Sequence, residues 1–562
     1  MRKTYKNPFY DYGVKLDSVK EMIDYVGIEY SNNIAYRYKA HNEIVVKRYS
    51  DVLKDVKRTS QALMQQKFEK KHIAVIGKTS YEWIIAYLSV MYAGMVIVPL
   101  DPQLKMEELL EQIKRADVEC VFMDAKYVSS FKDSGIGKIV YMGEAKRVKI
   151  EETPDCVSME RFGNDSSSQV QEVVIEPEKL SAIVFTSGTT GKSKGVMLSQ
   201  KNLISDVMSA KRILGLDEMD STLSILPLYH TYEMTCDILL MLYFGACVNL
   251  NDSLKYLNRN LNVFTPTTLF AVPMVVEEFY RKIMDNVKEN KKERTFKILM
   301  GISSVLRKMN IPLCKRIFRN VRQQFGGKLN LIVCGGACLE QHYIDFFDNL
   351  GINVVHGYGI TECSPLLSAN PDDCKKRFSV GPYVSCCEVK IKKHDDYDNI
   401  NGYVVGDIMA KGDNVMLGYY KDEEATKEAF EGEWFLTGDI GYMDEHNYLY
   451  ITGRSKNMII LDNGKNVSPE ELEGKFVNSG IVKEVMVTTK TVRNTKQIHA
   501  VVYPDYTYAK QYGIDDIHQY LETELNEINR SLPAFKQITS FELREEEFEK
   551  TSTKKIKRYN IQ

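Results

Sequence analysis

Short apolar runs separated by stretches of helical periodicity set the frame of this chain. Ile73-Ala74-Val75-Ile76-Gly77 reads as a buried strand, and an apolar helix near residues 81 to 93 follows it. Val96 to Leu100 is a second strand, Met106 to Ala116 a second helix, and Glu119 to Met123 a third strand. This alternation is βαβ grammar and predicts a mostly parallel sheet covered on both faces. Upstream, Ser18 to Gln66 suggests helices around a short strand, with Tyr49-Ser50 capping a helix that begins near Asp51. Downstream, Ile183-Val184-Phe185 and Ser221 to Pro227 read as strands, with a helix from Asn202 to Leu214 between them. Ile332 to Ala337 and Asn353 to Glu362 each start as a strand and run straight into glycines. In open parallel sheets, ligands sit at the C-terminal ends of strands, so these endings are candidate chemistry.

One apolar run is long enough to weigh against a membrane span. Trp83 to Leu100 is 18 residues without a charge, at the lower limit for a transmembrane helix. Gly94 divides it and a β-branched run follows, so a buried helix feeding a buried strand is the expectation. The N-terminus has basic residues but no apolar stretch behind them, which argues against a cleaved secretory signal.

With 562 residues the chain exceeds what one core supports, so at least two domains are expected. Hydrophobic residues make up 44% and charged residues 27%, an ordinary balance for a globular protein. The formal charge of -2 supplies no global field toward nucleic acid, and a nucleic-acid partner is not expected. The 11 cysteines have neither zinc-ligand nor thioredoxin spacing, which suits a reduced, cytoplasmic location. Any contact with the inner face of a membrane would have to be local and peripheral. Residues 286–297 form a charge run, read as a solvated helix face. Arg307 to Arg322 carries basic residues and no acidic ones, and Pro312 with Gly326 brackets a helix whose Ile317, Phe318, Val321 and Phe325 share a side. Such a helix suits either an anionic bilayer or an ordinary globular surface, and the second is favoured. The polar segment Asn164 to Gln169 reads as an exposed connection.

The densest chemistry lies at Thr186-Ser187-Gly188-Thr189-Thr190-Gly191-Lys192-Ser193-Lys194-Gly195, directly after the strand at Ile183. Glycines let backbone N–H groups turn inward, hydroxyls add donors without bulk and lysines add charge, so the stretch suits a polyphosphate. It is not a P-loop, because the glycine required five residues before Gly191 is replaced by Thr186. Leu228-Tyr229-His230 offers His230 as a candidate substrate contact, against the plainer alternative of a packed aromatic position.

Taken with Tyr358-Gly359-Ile360-Thr361-Glu362, Thr437-Gly438-Asp439 and Gly453-Arg454, this stretch resembles the motif series of the adenylate-forming, AMP-binding ligase superfamily. The similarity extends over nearly the whole chain. Leu226 to His230, Leu269 to Pro273 and Thr551 to Arg558 resemble the long-chain fatty acyl-CoA synthetase branch most. The resemblance implies an α/β fold, with a large N-terminal domain of parallel-sheet lobes over residues 1–454 and a smaller mobile α+β domain over 455–562. It also implies ATP and Mg²⁺, with coenzyme A as co-substrate of a fatty acid. Thr186, Ser187, Gly188, Thr189, Thr190, Gly191 and Lys194 would meet the β- and γ-phosphates, with Glu362 and Thr186 as metal contacts. Gly335, Gly336 and Ala337, with Gly357, Tyr358, Gly359 and Thr361, would line the adenine side. Asp439 would accept from the ribose hydroxyls, although Asp in such a loop is also a common turn residue. Arg454 would reach ribose or phosphate, Lys456 would be the hinge and Lys555 the adenylation lysine. Without the resemblance, Lys554 to Arg558 would read as a solvated basic tail. Asn463-Gly464 is a hairpin signal inside the smaller domain. Ser193 stands where the family usually has proline, which predicts a more mobile loop. Two rivals stay open: an acyl- or aryl-adenylating enzyme that loads a carrier-protein pantetheine, and a degenerate nucleotide-binding scaffold.

Overall fold

The computed structural model describes residues 14–41, 43–131, 134–143, 150–164, 172–186, 193–309, 311, 313–394, 397, 399–462, 465–476, 479–492, 495–550 and 556–558. Ser187, Gly188, Thr189, Thr190, Gly191 and Lys555 lie outside this set. So do the Asn463-Gly464 turn, Pro312, Lys554 and most of the polar connection after Asn164. The chain divides into two compact units. One takes residues 1–186, 193–388 and 411–428, and the other takes 187–192, 389–410 and 429–562.

In the first unit the described residues form two eight-stranded sheets. One is built around His72–Ile76, Val96–Leu100, Cys120–Asp124 and Lys138–Met142, all parallel neighbours. The helix Tyr81–Tyr92 between the first two strands starts where Ser80 Oγ accepts from the Trp83 N–H, and it buries Trp83 completely. Gly94 then takes a φ of 68°, turning the chain into the next strand. The expected buried helix feeding a strand is therefore what forms, and among the described residues no helix is long and apolar enough to cross a membrane.

The same sheet differs from the sequence expectation beyond residue 183. Leu180–Thr186 is followed by an unexpected strand, Lys194–Ser199, which returns antiparallel and sets Thr186 opposite Lys194 before the helix Gln200–Lys211 begins. Near the start of the chain there are two strands, Ile34–Ala40 and Glu43–Arg48, instead of one. The following helix begins at Tyr49, where the Asp51 carboxylate in its first turn accepts from the Arg48 N–H at 2.8 Å.

The other sheet places Thr268–Ala271, Leu331–Cys334 and Asn353–Gly359 side by side and parallel. Leu269, Ile332 and Val354 are buried in one cluster with Phe279 and Phe347 from the covering helices. Each such side chain contributes roughly 1.5–3 kcal/mol on leaving water. The single helix expected between residues 312 and 326 is instead two short ones, Cys314–Ile317 and Arg319–Gln323, with Phe318 and Phe325 buried.

In the second unit, residues 406–410 pair antiparallel with Trp434–Met443, which pairs antiparallel with Tyr448–Arg454. Farther along, Val482–Val492, Thr495–Pro504 and Ser540–Leu543 form a three-stranded mixed sheet. Helices Tyr506–Tyr512 and Ile517–Arg530 pack on it over Val487, Ala500, Val502 and Leu521. The fold is α/β with parallel sheets in the first unit and a smaller α+β region at the C-terminal end.

Candidate active site

Within the first unit, three strand ends bring the expected residues together. Thr186 Oγ1 lies 3.5 Å from the Lys194 carbonyl, across the two antiparallel strands. Ser193 is itself held, Arg115 donating to its carbonyl at 2.8 Å and Gln112 to its hydroxyl at 3.3 Å, while the loop it was expected to loosen lies outside the described residues.

Glu362 follows the strand Asn353–Gly359 in a short 3₁₀ turn. Its carboxylate accepts from Tyr419 Oη at 2.9 Å, while its backbone carbonyl accepts from the Met416 N–H at 2.8 Å. Tyr419 belongs to the segment 411–428, which is laced back by Leu417 N–H to Met197 O and Tyr420 N–H to Gly195 O. The ammonium of Lys194 stands 4.7 Å from the centre of the Tyr419 ring. One phenol thus positions a cation on its face and a carboxylate at its hydroxyl. The two charged groups form no ion pair with each other among the described residues. Burial and the neighbouring Glu362 charge push the Tyr419 hydroxyl well above its ordinary value, so it stays a donor. Sequence reasoning passed over Tyr419 because its partners lie 57 and 225 residues away along the chain.

Around the Gly335 stretch, two glycines answer to the protein itself. A Cβ on Gly335 would come 3.1 Å from the Tyr232 ring, and one on Gly359 would come 2.1 Å from the Pro365 carbonyl. Gly357 is different: a Cβ there would meet only ordinary contacts at 3.5–3.6 Å. His356 Nε2 lies 3.0 Å from the Ala337 carbonyl, and burial lowers the affinity of this ring for a second proton. A neutral imidazole donating from Nε2 ties the two glycine-bearing strand ends together. Tyr358 is half-buried, and Thr361 Oγ1 sits 3.5 Å from Thr231 Oγ1.

His230 sits half-buried with its ring 4.5 Å from that of Tyr229. The π-helical turn Tyr232–Leu239 after it buries Glu233 and Asp237 completely. Burial raises both carboxyls, and Ser224 Oγ donates to Glu233. The sequence offered no signal for this pair beyond two acids in an apolar segment.

In the second unit, Asp439 is no turn residue. It lies in the strand Trp434–Met443 directly opposite Arg454, whose Nε is 2.9 Å from its carboxylate. Thr437 Oγ1 accepts from the Asp439 N–H at 3.1 Å and donates to the Ile408 carbonyl at 2.8 Å. Lys456 follows in the turn Ser455–Asn457, where Asn457 bonds Glu470 at 2.6 Å. The described part of the basic C-terminal stretch, residues 556–558, is not merely solvated either. Arg558 pairs with Glu473 and donates to the Val487 carbonyl, and the Lys557 N–H donates to the Glu549 carbonyl at 2.8 Å.

No trio of His, Cys, Asp or Glu that could cage a metal exists among the described residues. A lone carboxylate such as Glu362, with a hydroxyl such as Thr186, suits Mg²⁺, which takes one or two protein oxygens and completes its shell with water and phosphate.

The AMP-binding enzyme family matches residues 29–420, and the AMP-binding enzyme C-terminal domain matches residues 456–562. The chain therefore belongs to the AMP-binding enzyme family, the adenylate-forming acid ligases. Long-chain-fatty-acid–CoA ligase 5 of Rattus norvegicus is 28% identical over 472 residues, covering 78% of this chain and 67% of that protein. The chloroplastic long-chain-fatty-acid–[acyl-carrier-protein] ligase AEE15 of Arabidopsis thaliana is 24% identical over 512 residues, covering 78% and 69%. O-succinylbenzoate coenzyme A synthetase from Bacillus subtilis, solved with ATP and magnesium ion, shares the fold at a TM-score of 0.72. It is 20% identical, with 96% of this chain and 98% of that one covered.

Proposed function

We propose that this chain couples a fatty acid to coenzyme A with ATP, through an acyl-adenylate, releasing AMP and pyrophosphate. The carboxylate oxygen attacks the α-phosphorus, the bond to the pyrophosphate oxygen breaks, and the thiol sulfur later displaces AMP from the acyl carbon. Like-charged reactants must be held together in the first step, so positioning and charge stabilisation carry the catalysis. The observation that carries this reading is Tyr419, which holds Lys194 and Glu362 close without letting them neutralise each other. Lys194 is left to meet phosphate oxygens. Glu362, with Thr186, is left to hold Mg²⁺, which when bound offsets charge on the phosphates.

In the same reading Ser187, Gly188, Thr189, Thr190 and Gly191 supply N–H and hydroxyl donors to the pyrophosphate. Gly335, Gly336, Ala337, Gly357, Tyr358, Gly359 and Thr361 face the adenine. Asp439 accepts from the ribose, steadied by Arg454. His230 contacts the acid. A boundary at residues 454 and 455 has Lys456 as its hinge, and Lys555 approaches the reacting oxygens as that domain turns. The C-terminal family match beginning at residue 456 supports this boundary.

Transfer to a carrier-protein pantetheine is the second reading, favoured by the likeness to AEE15. Supplying coenzyme A and a holo carrier protein together and weighing the products separates them. Acyl-CoA as the dominant product is expected, and acyl-carrier protein as the dominant product would replace the first reading with the second.

A further inference from the structure

The helix Glu293–Lys308 has apolar residues on two opposite faces, and only one of them is packed. Phe296 and Ser303 point inward, Ser303 Oγ donating to the Asn349 carbonyl at 2.6 Å. On the other side Ile298, Ile302, Val305 and the C-cap residue Met309 are 63%, 46%, 57% and 64% exposed. At a helical turn of 100° per residue these four fall within an arc of about 60°. Exposed apolar residues scattered singly need no explanation, but a continuous stripe along a surface helix does.

The flanks of the stripe are basic. Arg294, Lys297 and Lys308 border one side of it, and the helix's acidic residue, Glu293, projects well away from it. The chain then enters Lys315, Arg316 and Arg319, all exposed, and none of these six has an acidic partner among the described residues.

Beside them lies a cavity of about 390 Å³ lined by Lys315, Arg319, Arg322, Lys328, Asn330 and Thr267. Arg322 is buried there, donating to the Gly351 carbonyl and to Asn330. Burial and the nearby Arg322 charge lower the Lys315 ammonium's affinity for its proton, as expected of uncompensated positive charge. The cavity and the helix meet at one turn, since Arg322 grips Gly351 while Ser303 grips Asn349. Thr267 and Asn330 precede the strands Thr268–Ala271 and Leu331–Cys334, so this is the N-terminal edge of the sheet. Gly335 and its neighbours are at the opposite edge, roughly 13 Å away along a four-residue strand.

We propose that this face is a docking surface for an anionic phospholipid bilayer. Ile298, Ile302, Val305 and Met309 enter the interface, the basic flank meets lipid phosphates, and the Lys315–Arg322 cavity accepts one headgroup phosphate. Charge complementarity selects this occupant. A second copy of the chain brought to the same face about a two-fold axis would set these unpaired cations against their own kind. Docking here also leaves the glycine-bearing strand ends open at the far edge of the sheet.

Flotation of the full chain with vesicles of about 3:1 phosphatidylcholine to phosphatidylglycerol, against phosphatidylcholine alone, tests the proposal. The chain is expected to float with the anionic vesicles only. Binding should fall about tenfold or more in Ile302→Glu/Val305→Glu, in Lys315→Glu/Arg319→Glu, and at high salt. Unchanged melting temperatures in both variants would keep the loss from being one of folding. No flotation with anionic vesicles, or flotation that neither double variant weakens, would overturn the proposal. So would a wild-type dimer that Ile302→Glu/Val305→Glu splits, and so would inorganic phosphate binding in the cavity without vesicle binding.

Discussion

In the first unit, the Glu362 carboxylate is held by one phenolic hydrogen bond in a half-buried turn, and Lys194 by the face of the same ring. In the second, Asp439 is buried within a β-ladder, faces Arg454 across the strand pair, and has its own N–H bound by Thr437. The first arrangement leaves charge unspent, and the second spends it on internal order. In the proposed function, groups that meet a phosphate and a cation keep unsatisfied capacity until those arrive. A carboxylate that reads two hydroxyls of a sugar gains from being fixed beforehand, because orientation is then not lost on binding.

That contrast can be broken by substitution, and the largest effect is expected at the residue neither arrangement contains. Lys555→Ala should lower adenylate formation by about a thousandfold while largely sparing thioester formation from supplied acyl-adenylate. Equal loss in both half-reactions would remove Lys555 from its role. Glu362→Gln should cost about a hundredfold in adenylation and raise the Mg²⁺ concentration needed for half-maximal rate. An unchanged Mg²⁺ profile would count against a metal contact there.

Asp439→Asn should weaken nucleotide binding by about 10- to 100-fold, measured by calorimetry, with little change in melting temperature. Arg454 is half exposed and its ion pair adds little to stability. A large fall in melting temperature with intact nucleotide affinity would make Asp439 purely structural. Tyr419→Phe keeps the ring under Lys194 but removes the donor to Glu362, and about a tenfold loss is expected. If it matched Glu362→Gln in size, the ring alone could not be what positions the cation.

The smallest effect concerns His356. Burial holds its imidazole below the ordinary value, so folding favours the neutral ring. That contribution is fully present above roughly pH 6.5, the unfolded value, and is lost as pH falls toward the depressed folded value. Denaturation midpoints measured between about pH 7.5 and 5 should decline in the wild type and flatten in His356→Gln.

Much of the site was legible in the sequence because its residues cluster in short motifs with local reasons to exist. Glycines at 335 and 359 and the hydroxyl-rich stretch from Thr186 each announce themselves within a few residues. The alternation through residues 73 to 123 likewise gave the parallel sheet, since buried strands and their crossover helices differ in period. What remained hidden depends on contacts between distant parts of the chain. Lys194–Ser199 is a strand only because it pairs with Leu180–Thr186 on one side and Gly418–Tyr419 on the other. Its own residues, with one glycine and two polar ends, carry no strong period. Asp439 was expected at the ribose from its motif, but its place in a ladder was hidden because Thr-Gly-Asp is locally turn chemistry, and only pairing with Arg454 shows it. The division into units was hidden for the same reason, since residues 411–428 return to the first unit after 389–410 have joined the second.

Under the proposed function, charges kept apart by Tyr419 drive an acid-dependent adenylation. Isotope exchange between pyrophosphate and ATP, run without coenzyme A across a panel of fatty and aromatic acids, tests it most directly. Exchange is expected to require both a fatty acid and Mg²⁺, and to collapse in Glu362→Gln. Exchange that proceeds without any acid, or no exchange with any acid in the panel, would contradict it.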